Sequence, residues 1–278
     1  MGGFLAIARL TLLEARRRRI VAAAVGCGLI YLLLFATAVY FLLVAHRPQR
    51  PLPLMQLRAQ TMAFTLVGLY AVNLLSVAVA IMLAVDTLSG EISSGIMQTL
   101  ASKPIRRADI VLGKWAVFVC MIAVYILVMV AGVIATMHIL TGYSQPHLLV
   151  VSALMTLQAA VLLSVVIVGG VRLPTVANGT IAFAFYSIAV VGGWVEQIGV
   201  VVGNDSARYI GTAISLVTPT DALWRLAVHE LESALPLGMV FGPFSGTAVP
   251  TLAMVWWALG FIVCSLLLAI RWFQKRGL

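Results

Sequence analysis

Acidic residues are scarce in this 278-residue chain, nine in all against 18 Lys and Arg, and charged residues of both signs make up only 10% of it. So little polar surface cannot cover a water-soluble globule of this size, which excludes an ordinary soluble enzyme or binding domain. Cysteine is nearly absent too. Cys27, Cys120 and Cys264 lie far apart inside apolar runs, a pattern that suggests neither a disulfide framework nor a paired-cysteine metal site. The four histidines, His46, His138, His147 and His229, share no metal-ligand spacing. Ser76, Ser152, Ser164 and Ser187 have no nucleophile-elbow setting, so helix–helix hydrogen bonding is their expected role. Gly113-Lys114 ends like a phosphate-binding loop. That motif, however, needs glycine where Ala108 stands and a hydroxyl where Trp115 stands, so no nucleotide cofactor is expected on this chain.

What is abundant is apolar sequence: 62% of residues, with a mean hydropathy of +1.09. A spanning helix needs about 20 apolar residues at about 1.5 Å rise each. That ruler finds six spans, at 20–45, 59–85, 115–140, 148–171, 175–195 and 250–270. The uncharged run from Trp115 to Val171 is too long for one helix, and Thr141 to His147 carry the breakers that divide it into a hairpin. Arg172-Leu173-Pro174 divides the next pair. The expected fold is an all-α polytopic membrane protein forming a single transmembrane domain. Arg16 to Arg19 before an apolar run, with Ala36-Thr37-Ala38 beyond it, imitate a signal peptide, but the run 20–45 exceeds a secretory core and is long enough to span. Residues 1–19 place Phe4, Leu5, Ala8, Leu12 and Ala15 on one face, as in an interfacial helix.

The net charge of +9 is distributed at the ends of apolar runs, which argues for membrane orientation and against nucleic acid. With the N-terminus cytoplasmic, the inner flanks carry 13 Lys and Arg and the outer flanks five. Both termini and the segment 86–114 are then cytoplasmic. The outer segment 196–249 carries Glu196, Asp205, Asp221, Glu230 and Glu232 against Arg208 and Arg225. Thr218-Pro219-Thr220-Asp221 reads as a helix start, with an apolar face of Leu223, Leu226, Ala227 and Leu231 and with Trp224 at the membrane interface. A shorter helix over 207–217 completes two extracytoplasmic, re-entrant, cap-forming helices.

The long polar segment between uncharged runs is 86–114. Ser89 is positioned to cap a helix beginning at Gly90, Glu91 lies in its first turn, and Pro104 stops it near Ser102. Ile92, Ile96 and Leu100 form an apolar stripe, and Glu91, Ser94, Gln98 and Ser102 a polar one. Such a helix can lie on the membrane or fill a partner's groove, and Arg106, Arg107 and Lys114 supply a positive anchor beside it.

The arrangement Glu91-x3-Gly95-x4-Leu100-x3-Pro104-x8-Gly113-Lys114, between the second and third spans, resembles the cytoplasmic loop of ABC-2-type transporter permeases, in particular the copper-enzyme-maturation and small-exporter type. The resemblance implies the membrane subunit of an ATP-binding-cassette exporter, itself not an enzyme. It further implies two copies of a separate ATPase subunit carrying ATP and Mg, a second permease chain forming a homodimer, and residence in the inner membrane. Leu88, Glu91, Ser94, Gly95, Gln98, Pro104, Arg106 and Arg107 would form the ATPase contact, on a coupling helix that passes motor closure to the spans. Two alternatives stand beside it. One is a membrane-embedded enzyme using Glu196, Asp205, Asp221, His229 and Glu230. The other is a membrane scaffold with 196–249 as the binding surface for an extracytoplasmic partner.

Overall fold

The computed structural model describes residues 2–17, 19–45, 54–93, 106–142, 147–232 and 250–275, and every regular element among them is a helix. In chain order these are α1 (Gly2–Arg17), α2 (Arg19–Val39, continued by a π-helical turn Tyr40–Ala45), α3 (Leu54–Ser93), α4 (Arg107–Thr141), α5 (Leu148–Gly170), α6 (Thr175–Val202), α7 (Asp205–Val217), α8 (Thr220–Glu232) and α9 (Ala253–Lys275). Six of them, α2 to α6 and α9, are long and apolar enough to cross a membrane. The protein is an all-α polytopic membrane protein. At about 1.5 Å per residue the 40 residues of α3 extend about 60 Å, twice the ~30 Å hydrocarbon thickness, so this helix projects beyond the apolar layer.

Local chemistry sets the reversals. α4 ends on Gly142 in the left-handed region (φ 73°), whose N–H donates to the His138 carbonyl at 2.8 Å. Between α5 and α6 the Arg172 and Leu173 N–H groups both return to the Gly169 carbonyl, and Pro174 immediately precedes the first turn of α6. Gly203 (φ 71°) ends α6, and Asn204 caps α7 by accepting the Ala207 N–H at 3.1 Å.

α5 is the central post. It carries no ionisable residue and packs against α3, α4, α6, α8 and α9, with Val161, Leu162 and Leu163 fully buried. Polar ties between helices cross the apolar core. Trp115 Nε1 donates to Ser164 Oγ (3.0 Å), Asn73 Nδ2 to the Tyr186 hydroxyl (3.3 Å), and Asn178 Nδ2 to the Val166 carbonyl (2.9 Å). Of the four span serines, Ser164 makes the expected interhelical bond. Ser152 and Ser187 bond back to carbonyls of their own helices, and buried Ser76 has no hydrogen-bond partner.

On α1 the residues buried against the bundle are Ile7, Thr11 and Ala15, with Ile7 packed over Gly113 of α4, while Leu5 and Leu12 are exposed. Three local expectations differ from the structure. Ser89 caps nothing: α3 runs through it to Ser93, and its hydroxyl bonds the Val85 carbonyl of the preceding turn at 2.7 Å. Lys114 is no surface anchor but lies within α4 at 4% exposure. Trp224 is buried edge-on against Tyr70, with ring centroids 5.9 Å apart, because α8 is inserted among α3, α5, α6 and α9 instead of lying on the surface.

Candidate functional site

Two polar regions occupy opposite ends of the bundle. The first, the basic end, gathers α1, the C-terminal ends of α3, α5 and α9, and the N-terminal ends of α4 and α6. Arg107 Nη1 donates to the Phe273 carbonyl at 2.7 Å while its guanidinium sits 5.7 Å from the Phe273 ring centroid. Arg172 lies over Trp272 at 3.9 Å. Ser89 and Thr175 hydroxyls are 3.0 Å apart, and Thr175 donates onward to Asp86 Oδ1 at 3.1 Å, which ties the end of α3 to the start of α6. Arg107 meets the Phe273 ring and backbone carbonyls of α9, and Arg172 meets the Trp272 ring, which secures the C-terminal turn of α9 to α4 and to the α5–α6 connection.

The residues expected at an ATPase contact fall at or beyond this end. Leu88 and Glu91 belong to the last turns of α3. Ser94, Gly95, Gln98 and Pro104 lie outside the described residues. Arg106 is exposed and immediately precedes α4, and Arg107 opens that helix with the α9 contacts given above. The structure therefore brings Arg106, Arg107 and the end of α3 to one pole.

The second region is the cap. Arg225 of α8 donates through Nη2 to Glu196 Oε2 of α6 at 2.8 Å and to Ser215 Oγ of α7 at 3.2 Å, and its Nε lies 3.0 Å from Asp221 Oδ2. Glu196 accepts further bonds from Thr212 (3.2 Å) and Ser215 (3.5 Å). Three helices thus converge on one guanidinium, and small residues permit the approach. A Cβ at Gly193 would overlap the Asp221 carboxylate, one at Gly192 would overlap Ile214, and one at Gly211 would press on Glu196. Burial pushes the Asp221 carboxyl up to about 7 against the opposing pull of Arg225, and the charge of Glu196 adds to the rise.

The five residues of the enzyme alternative do not converge. Glu196 and Asp221 meet on Arg225, Asp205 pairs with Arg208 at the exposed start of α7 (3.1 Å), and His229 and Glu230 sit half-buried on the last turns of α8. No group of three or more His, Cys, Asp and Glu that could hold a metal ion occurs among the described residues. Arg225, counted from sequence only as an outer cation, is the residue on which the cap is built. Its i,i+4 spacing from Asp221 was the legible half of the signal, and the contribution of Glu196 from another helix was not.

Comparison with curated proteins gives no match. Comparison with protein-family models matches residues 5–278 to the family described as ABC-2 family transporter protein. That match covers nearly the whole chain and agrees with six membrane-crossing helices and a basic pole at the ends of α3 and α4. The chain belongs to the ABC-2 family of transporter proteins and is a permease, the membrane component of an ABC transporter.

Proposed function

We propose that this permease is the membrane half of an ATP-driven exporter. In this reading a separate ATPase docks on the cytoplasmic face through the segment 94–105 and the helix ends that flank it. The observation that carries the proposal is the continuity of α3, which runs unbroken from Leu54 to Ser93 as one rod from the bundle to the residue before that segment. Two permease chains and two ATPase copies form the working assembly, with both termini and the basic end cytoplasmic in the inner membrane. The charge asymmetry of 13 against five supports that orientation. ATP-driven closure of the motor moves the α3–α4 stem and shifts the population of the bundle toward an outward-open state. The apolar stretches 20–45, 59–85, 115–140, 148–171, 175–195 and 250–270, almost free of ionisable residues, suit an apolar or amphipathic substrate better than a small ion of high charge.

The test is co-purification with the ATPase subunit and measurement of transport-stimulated ATP hydrolysis. Glu91→Lys and Gly95→Trp are expected to abolish the stimulation while leaving the permease folded. Unchanged assembly and unchanged stimulation in both variants would remove the docking role.

A further inference from the structure

We propose that the Glu196–Arg225–Asp221 cluster is a proton-binding latch: Asp221 takes up one proton from water on the α7 side of the membrane, and loss of that proton loosens α8 from α6. The proposal does not depend on the ATPase docking site, which lies at the other pole.

The geometry begins with a charge mismatch. Two carboxylates share one guanidinium, so the fully ionised cluster carries one excess negative charge in a site where Arg225 is 3% and Asp221 6% exposed. An uncompensated charge in a low-dielectric interior is costly, and binding one proton removes it. The two acids are not equivalent candidates for that proton. Glu196 accepts from Arg225, Thr212 and Ser215, and its side chain retains 17% exposure. Asp221 Oδ2 faces Arg225 Nε and is otherwise wedged against Gly193, so no comparable set of donors supports its charge. Asp221 is thus the more buried acid and the one with fewer donors, which makes it the proton acceptor of the cluster.

Among the described residues, Arg225 and Glu196 are the charged groups that act on Asp221, and Arg58 of α3 is exposed near the start of that helix. Tyr70 of α3 and Tyr186 of α6 are near enough to feel Asp221, α5 has no ionisable residue, and the cations of α9, Arg271 and Lys275, lie at the basic end. On α7, Arg208 is paired with Asp205 at the exposed first turn, and His229 and Glu230 lie two turns beyond Asp221 on α8. Glu196, partly exposed, provides the route by which a proton from water reaches the cluster. The step is a simple protonation: the Asp221 carboxylate becomes a carboxylic acid, the net charge of the cluster goes from minus one to zero, and nothing else is consumed.

The consequence falls on α8, a 13-residue helix buried from Thr220 to Val228, whose first two turns are held by Asp221 and Arg225. The sign follows from linkage. The folded protein holds a proton up to about 7 that an ordinary carboxyl releases above 3.8, so the stability of the cap declines as pH rises through that window and is greatest on its acid side.

The full-length permease in lipid vesicles allows a direct test by infrared difference spectroscopy of the protonated carboxyl band. Hydrogen exchange of α8 is followed in parallel at about pH 8, where the wild-type cluster is deprotonated. Three results are expected. The wild-type band titrates near neutrality and is absent in Asp221→Asn. In Glu196→Gln, which removes the excess charge, the titration moves down by at least about one pH unit. At about pH 8 the α8 amides of Asp221→Asn exchange roughly tenfold more slowly than those of wild type, because the amide mimics the protonated acid. A wild-type band that Asp221→Asn leaves in place, or a titration that Glu196→Gln does not move, would overturn the assignment of the proton. Equal α8 exchange in wild type and Asp221→Asn would overturn the latch. Both substitutions are near-isosteric, and Glu196→Gln reports independently should Asp221→Asn fail to fold.

Discussion

The two poles of this permease handle charge in opposite ways. At the basic end, Arg107 and Arg172 rest on the Phe273 and Trp272 rings and on a backbone carbonyl of α9, and Arg106 is exposed. In the cap, buried Asp221 and Arg225 and partly exposed Glu196 are packed against one another, with glycines thinning the helix surfaces around them. Exposed charge is cheap to rearrange, because solvent compensates each new position. Buried charge is specific, because any displaced partner is left in a medium that cannot solvate it. The basic end is therefore suited to meeting and releasing a partner, and the cap to holding one arrangement or switching between two.

The sharpest way to break this contrast is Arg225→Met. It leaves two carboxylates without their cation and is expected to lower stability by about 3–5 kcal/mol, read as a large drop in the thermal midpoint in detergent at neutral pH. Adding Asp221→Asn to Arg225→Met should recover part of that loss, which separates charge from packing. Next in size is Gly193→Ala, whose methyl group displaces the Asp221 carboxylate from Arg225; about 1–3 kcal/mol is expected by the same measurement. At the opposite pole, Arg172→Ala removes the contact with Trp272 and should cost about 0.5–1 kcal/mol, seen as faster exchange of the last turn of α9 with little change in global unfolding. Smallest is Arg208→Ala. It breaks an exposed i,i+3 pair and should shift stability by no more than about 1 kcal/mol, an effect that fades with added salt. A cost at Arg208 comparable to that at Arg225 would end the distinction between exposed and buried charge.

The same contrast explains which parts of the molecule were legible in advance. Membrane spans are written in composition, since about 20 uncharged apolar residues have few other soluble or structural fates, and Gly142 and Pro174 carry turn instructions in their own covalent geometry. The start of α8 near Thr220 was readable from Pro219 and Asp221. Its environment was not. The expectation that Trp224 sits at the membrane interface did not hold, because α8 packs among α3, α5, α6 and α9, and Glu196 and Ser215 arrive from two other helices to meet its polar side. Ser89 illustrates the converse, a good capping residue overridden because the helix it would begin is already running.

By itself, then, the sequence determined that this chain is helical, crosses a membrane, carries most of its positive charge on one set of flanks and lacks a nucleotide-binding loop of its own. These are properties of runs and local motifs, decided within about 20 consecutive residues. The tertiary structure decided what those motifs meet. It set Ile7 of α1 over Gly113, buried Lys114 inside α4, and assembled Glu196, Asp221 and Arg225 from two helices 25 or more positions apart in the chain. Such a cluster depends on the approach of helix axes, and that approach depends on glycines whose partners lie far away in the sequence.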